Sequence, residues 1–281
     1  MLRYLAPVTL GVCAVSVGIL SGKPAPVKNS VSSAVRKLFV ASAHCSGGDS
    51  NSNTVPKTSG GGTMDYNQEA ERMAQRVYEM YNDKEWKVAK TSDIPIEQTQ
   101  KDIRVLYKKS SEFDGYIYRA ECTLAASPDR IVDYILPSPK GLRGKWDKNV
   151  KESEVIEHIN KDLIVARSAT HSAAMGLISS RDFLDLIYVK RYPTNGMVCT
   201  HSKSIKRKDC STRDGFIRGT NYHGGTFCVP VDGQSNMTRV VNMVQSDLGG
   251  MLPKTLVDSA LPSNLIDFFI DLEIALKSNI E

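Results

Sequence analysis

Between residues 155 and 247 this chain repeatedly changes from alternating apolar and polar segments to short runs of turn-forming residues. A period of two is typical of β-strands, and the predicted strands cover 155–159, 163–169, 182–191, 197–204, 215–229 and 238–247. Turns such as Asn160, Lys161 and Asp162 separate them. A parallel pair needs a crossover of roughly a dozen residues or more, so such connections predict an antiparallel sheet.

The residues before this region predict a helix at 66–81, strands at 103–109 and 115–124, and a second helix from Ser127 to about Leu136. In the first helix, Met73, Val77 and Met80 recur at helical spacing. The second helix begins with an N-cap serine and with Pro128, because proline is favoured in the first turn of a helix.

The final segment, 252–277, carries a helical apolar stripe. Its members recur at three- and four-residue steps and are Leu265, Phe268, Phe269, Leu272 and Leu276. Pro262 predicts an interruption of this segment. An apolar helix that follows an antiparallel sheet predicts an α+β fold in which the sheet curls and the helix packs across its concave side.

The formal net charge of +5 belongs to the first 63 residues. Six of the 36 lysines and arginines, but only one of the 31 acidic residues, precede Met64, so the remaining chain carries 30 of each. Binding to phosphates needs a concentrated basic face, and a charge-balanced body therefore argues against nucleic acid as a partner.

The chain divides into a leader at 1–45, a Gly/Ser/Asn-rich flexible linker at 46–63 and a globular domain at 64–281. The leader is apolar over 4–20 and contains no acidic residue. Three interpretations stay open for it: a transit segment for an organelle such as the mitochondrion, a membrane anchor, or an upstream exon without structural meaning.

Signatures of catalysis are missing from the sequence. It contains no phosphate-binding glycine loop, GxSxG, HExxH or dinucleotide fingerprint. The six cysteines form no CxxC pair, which is typical of reduced thiols, and Cys199, His201, Cys210, His223 and Cys228 match no common zinc spacing. We therefore expect no enzymatic activity, no metal and no cofactor.

Three motifs stand in a defined order: GLRGKWDKNV at 141–150, SSRDF at 179–183 and DLGGMLPK at 247–254. Together they resemble the START domain family, the lipid-transfer modules related to steroidogenic acute regulatory protein. The resemblance covers 64–281 and is greatest for the small subgroup that binds sterols and bile acids.

The resemblance implies a helix-grip fold, in which a curved antiparallel sheet of about nine strands and a long carboxy-terminal helix enclose a tunnel for one lipid. It also implies a non-enzymatic carrier that binds a bile acid, an oxysterol or cholesterol and exchanges it at membranes. The expected partners are that ligand and a transient membrane surface. We expect a cytoplasmic monomer with peripheral membrane contact, unless the leader directs it elsewhere.

Candidate ligand-binding residues follow from the motif positions. Trp146 would line the cavity or anchor the core, and Arg143 would meet a carboxylate or hydroxyl of the ligand or remain an exposed helix charge. Arg181 and Asp182 are expected to form an ion pair or to brace the preceding loop.

One departure from the family concerns the polar end of the tunnel. In cholesterol-carrying members a buried acid and a base on neighbouring strands form this end, and the matching positions here are Ser168 and Ile187. The hydroxyl of Ser168, with those of Thr170 and Ser172, can only form hydrogen bonds. This difference favours a hydroxylated sterol or a bile acid.

Loading a closed apolar tunnel requires a gate. The loop around Gly176 is predicted to expose Met175, Leu177 and Ile178 to a membrane, and the terminal helix, with Leu265, Phe268, Phe269 and Leu272, to move as a lid. The alternative is that these side chains fill the core.

Two further functions remain open. One is a ligand-sensing regulator whose bound lipid changes contacts with a partner, for which the basic segment 203–208 is the candidate surface. The other is a carrier of a phospholipid rather than a sterol. An enzyme on the same cup-like fold would need clustered histidines and acids inside the cavity.

Overall fold

The structure is a computed structural model that describes residues 64–92, 102–137, 142–172 and 178–280. The predicted leader and linker, 1–45 and 46–63, lie outside these ranges. The elements are α1 (Tyr66–Asn82), β1 (Lys87–Ser92), β2 (Ile103–Lys109), β3 (Tyr116–Leu124), α2 (Pro128–Ile135), α3 (Leu142–Trp146), β4 (Val150–Asn160), β5 (Leu163–Thr170), β6 (Ser180–Tyr192), β7 (Met197–Ser204), β8 (Phe216–Arg218), β9 (Thr220–Asn221), β10 (Gly224–Pro230), β11 (Thr238–Val244), β12 (Ser246–Asp247) and α4 (Lys254–Ser278).

One sheet organises the described residues. Its strands follow the order β1-β2-β3-β11-β10-β7-β6-β5-β4, and neighbours along this path pair antiparallel. β8 adds a short parallel pairing with β6, and β9 pairs with β12. The predicted α+β architecture, an antiparallel sheet of about nine strands with a long terminal helix, is confirmed.

Helices cover the two faces of the sheet differently. α4 packs along β1, β2 and β3 on the face that we call the inner face, and α1 packs on β6 and β7 on the opposite, outer face. Side chains alternate between these faces along each strand. Inner-face residues such as Ala120, Phe183 and Ile187 join Leu265 and Phe269 of α4 in one apolar cluster. The core most relevant to a ligand therefore lies between the sheet and α4.

Two sequence-based predictions about elements are wrong. The predicted strand at 215–229 is divided into β8, β9 and β10. A Cβ atom at Gly219 would lie 2.2 Å from the Phe183 ring, so the backbone there approaches the inner face more closely than any other residue type permits. The predicted interruption at Pro262 is also absent, since α4 continues through this residue.

Candidate functional site

A cavity of about 1320 Å³ opens at the end of the sheet where β3 and α4 begin. Apolar residues of α4 and of the preceding loop line it together with two tyrosines of β3, namely Leu248, Leu252, Val257, Leu261, Tyr116 and Tyr118. Pockets for drug-sized ligands measure about 300–1,000 Å³, so this space is sufficient for a lipid-sized ligand.

An ion-pair cluster and a hydrogen bond connect α4 to the β2–β3 hairpin at the rim of this cavity. Asp114 follows β2 and accepts hydrogen bonds from Lys109, at 2.6 Å, and from Lys254 at the start of α4. These two lysines lower the pKa of Asp114 to about 2. Tyr118 of β3 donates to Oδ1 of Asp258 at 3.3 Å, and burial raises the pKa of that carboxyl. The first turns of α4 are thus fastened to the β2–β3 hairpin.

Trp146 lies at the junction of three helices. Its Nε1 donates to the carbonyl oxygen of Tyr134 in α2 at 3.0 Å, and its ring lies 5.5 Å from that of Phe268 in α4. The side chain is buried within the apolar cluster of the inner face. It therefore anchors α2, α3 and α4 together, and a direct contact with a ligand stays a prediction.

Arg143 is only 3% exposed, so the interpretation as an exposed helix charge is wrong. Its Nε and Nη2 donate to Oδ2 of Asp147 at 3.1 and 3.0 Å, and Nη1 donates to the carbonyl oxygen of Ile135 at 3.3 Å. The guanidinium carbon lies 5.7 Å from the centre of the Phe268 ring. These contacts make Arg143 a brace between α2, α3 and α4, and contact with a ligand carboxylate remains a proposal.

The three predicted hydroxyl residues have different environments. Ser168 lies on the inner face of β5, buried, and its Oγ has no hydrogen-bond partner. Thr170 is buried on the same face, where its Oγ1 accepts a hydrogen bond from the backbone amide of Arg181 at 3.0 Å. Ser172 follows the end of β5 and is exposed, so it does not join the other two. Ser168 alone of the three presents an uncommitted polar atom to the interior.

Asp185 was missed by sequence reasoning. It lies on the inner face of β6, two residues before the buried Ile187, and is itself fully buried. Ser204 of β7 donates its hydroxyl to Asp185 Oδ1 at 3.0 Å and accepts a hydrogen bond from the backbone amide of Asn221 at 3.1 Å. Counting in steps of two from Ile187 would have placed this carboxylate on the inner face.

Arg181 and Asp182 have separate partners because consecutive strand residues point to opposite faces. Nε of Arg181 donates to the carbonyl oxygen of Leu248 at 3.1 Å and Nη2 donates to that of Gly249 at 3.4 Å, which braces the loop before α4. Asp182 accepts two hydrogen bonds from Arg218.

The residues of the predicted gate divide into three groups. Met175 and Leu177 lie outside the described residues. Ile178 is buried in the apolar cluster, so the prediction that it is exposed is wrong. In α4 the predicted lid residues are all buried against the sheet, namely Leu265, Phe268, Phe269 and Leu272.

Met251 is an apolar residue at the cavity that sequence reasoning did not select. Its side chain is 101% exposed, in the loop between β12 and α4. Its neighbours Gly249, Gly250 and Leu252 line the cavity. The apolar side chain of Met251 therefore lies in solvent beside the cavity.

Comparison with known proteins places this geometry in a family. A model of the START domain matches residues 67–280. The chain belongs to the START domain family. StAR-related lipid transfer protein 5 of Mus musculus is 36% identical over 211 residues, which are 75% of this chain and 95% of that protein. StAR-related lipid transfer protein 4 of Homo sapiens is 33% identical over 199 residues, which are 71% of this chain and 90% of that protein.

The START fold is also matched by a solved structure, that of human StAR-related lipid transfer protein 5. It superposes with a TM-score of 0.68 at 34% sequence identity and covers 77% of this chain and 98% of that chain. Family membership supports lipid transfer as the coarse function of this START domain. Among the described helices, none is both long enough and apolar enough to cross a membrane.

Proposed function

We propose that this START domain is a non-enzymatic carrier that holds one sterol-like lipid between the inner face of the sheet and α4 and exchanges it at membranes. The ligand would be a bile acid, an oxysterol or cholesterol. Relatives named for lipid transfer and the apolar inner face support a lipid as the cargo. A monomer with transient, peripheral membrane contact fits this function.

The observation that carries the sterol proposal is the hydroxyl of Ser168. It lies on β5 two residues from Ala166 and opposite Phe183 of β6, buried and without a partner. A sterol or bile acid is a rigid apolar body with a few hydroxyl groups, so one of these can pair with Ser168. A phospholipid headgroup would bring a phosphate, for which a buried arginine or lysine is the usual partner, and the buried Arg143 and Arg181 already bind Asp147 and the carbonyl oxygen of Leu248.

The basic segment at 203–208 supports the regulatory alternative only weakly. Lys203 pairs with Glu69 at 2.5 Å and Arg207 with Asp209 at 2.6 Å. Carboxylates therefore already neutralise two of its four bases. A surface for an acidic partner would need those charges to be available.

The test begins with native mass spectrometry and lipid extraction of the full chain purified from cells. A bound sterol or bile acid supports the proposal, whereas a phospholipid contradicts the sterol assignment. The second step compares Ser168→Ala with its exposed neighbour Ser172→Ala. We expect Ser168→Ala to weaken the binding of a hydroxylated sterol by about three- to tenfold, as loss of one hydrogen bond does, and Ser172→Ala to have no effect. Equal affinities for the two variants would exclude Ser168 as a ligand contact.

A further inference from the structure

A row of polar side chains crosses the middle strands of the inner face. Thr200, Thr226 and Asn242 lie opposite one another on β7, β10 and β11, and each is 0% exposed. Thr226 donates its hydroxyl to Asn242 Oδ1 at 3.3 Å, and Thr200 Oγ1 accepts a hydrogen bond from the backbone amide of Thr226 at 3.2 Å. On either side of Asn242 in β11, Val240 and Val244 belong to the apolar cluster that packs on α4.

The amide nitrogen of Asn242 has no hydrogen-bond partner. Its oxygen accepts the hydrogen bond from Thr226, which leaves the N–H groups as the end of the amide without a partner. Native proteins leave few buried donors unpaired, and each such group calls for an explanation. A bound ligand that accepts a hydrogen bond from this amide is one such explanation.

Asn264 presents a second unpaired amide from the opposite wall. It is 1% exposed in the middle of α4, and neither its Nδ2 nor its Oδ1 has a partner. Residues three and seven positions apart share a helix face, so Asn264 lies on the same face as Leu261 and Val257, which line the cavity. The sheet and α4 therefore each carry a buried side-chain N–H group without a partner, although neither asparagine lines the cavity itself.

We propose that Asn242 and Asn264 determine specificity for a lipid that carries a neutral oxygen, a hydroxyl or keto group, on the body of its ring system. This inference rests on the proposed sterol carrier and deepens it. Both amides are uncharged, which suits a neutral oxygen better than a phosphate or an ammonium group. Asn242 lies inside β11, two residues before the strand ends at Val244, so it belongs to the sheet and not to a loop at the rim.

The hydrogen-bonding capacity of the two amides determines which ligands bind weakly. A site that is built to form a hydrogen bond discriminates strongly against an analogue that lacks the corresponding group, because its own polar atom then stays buried and unpaired. A sterol whose rings carry no oxygen beyond its terminal hydroxyl leaves both amides unsatisfied. Ring-oxygenated sterols are therefore the preferred class.

The test uses the full chain and two ligands, cholesterol and its analogue with a keto group on the second ring. Asn264→Leu removes an amide whose loss breaks no internal hydrogen bond. Asn242→Leu is combined with Thr226→Val, since the threonine hydroxyl would otherwise lose its acceptor. We expect the parent chain to prefer the keto sterol and each variant to reduce that preference by about fivefold or more, the effect of one lost hydrogen bond, without weaker cholesterol binding.

Asn82→Leu is the matched control, because Asn82 is exposed at the end of α1, and it should leave the preference unchanged. A second readout follows the side-chain amide signals of selectively labelled asparagine by NMR, where the keto sterol but not cholesterol should shift those of Asn242 and Asn264. An unchanged preference in both variants would mean that water satisfies these amides, and it would overturn the inference. If the parent chain binds neither sterol, the proposed sterol carrier itself fails.

Discussion

Arg218 binds both carboxylate oxygens of Asp182, with Nε to Oδ1 at 2.9 Å and Nη2 to Oδ2 at 2.8 Å. Asp182 is 0% exposed in β6, and Arg218 ends β8, the strand that pairs in parallel with β6. The ion pair therefore fastens β8 to β6 within the SSRDF motif at 179–183, one of the three motifs that resemble the START family.

We expect Arg218→Leu to lower the free energy of unfolding by about 3 kcal/mol or more, because it leaves a buried carboxylate without a counter-charge. Urea unfolding measures this change. Lys161→Leu is the control, since Lys161 and Asp162 form an exposed pair at 3.8 Å whose loss should cost about 1 kcal/mol or less. Similar losses for the two variants would contradict the assigned role.

His201 should make the domain sensitive to acid. It is fully buried on the outer face, between the rings of Tyr188 and Phe227, and burial lowers its pKa from 6.5 to about 3. Above pH 6.5 the histidine is neutral in both states. Below pH 6.5 the imidazole is protonated in the unfolded chain but stays neutral in the folded chain. The free energy of unfolding therefore decreases as the pH falls from 6.5 towards 3, by about 1.4 kcal/mol per pH unit.

Urea unfolding of the parent and of His201→Phe at pH 7, 5.5 and 4.5 tests this expectation. Phenylalanine fits among the surrounding aromatic rings and cannot be protonated. Titrating groups that do not interact with His201 affect both proteins alike, so the difference between the two curves reports the histidine together with its coupling to Glu71. Parallel curves would show that His201 does not control the acid response.

Lys254 should slow the exchange of bound lipid. Its contact with Asp114 ties the start of α4 to the β2–β3 hairpin at the cavity rim. Exposed ion pairs contribute about 0–1 kcal/mol, so we expect Lys254→Ala to speed ligand release by up to about fivefold, with a smaller difference at high salt. Stopped-flow release of a fluorescent sterol measures the rate. Lys277→Ala, which removes the pair with Glu273 at the other end of α4, should leave it unchanged.

Met251 should contribute to transfer between membranes rather than to affinity. A fully exposed apolar side chain beside the cavity can insert among lipid headgroups, whereas an aspartate there cannot. Met251→Asp is expected to slow sterol transfer between vesicles severalfold and to keep the affinity for the ligand. Ile274→Asp, at an exposed position of α4, is the control. Equal slowing by both variants would indicate a general effect of negative charge.

The strands and the terminal helix were predictable because their signals are local. Alternation with a period of two located β2, β3 and β7. The predicted interruption at Pro262 was wrong. Proline costs the helix one backbone hydrogen bond, and the packing of Leu261 and Leu265 of α4 in the apolar cluster offsets that cost.

The partners of the polar residues depended on tertiary structure. The sequence alone determined that an apolar helix follows an antiparallel sheet, and that the body of the chain is charge-balanced. Only the fold decided that Arg143 pairs with Asp147 and that Asp182 pairs with Arg218. It also left Nδ2 of Asn242 and both side-chain polar atoms of Asn264 buried without a hydrogen-bond partner. Periodicity is a property of neighbouring residues, whereas a partner or its absence depends on segments that the folded sheet brings together from distant parts of the chain.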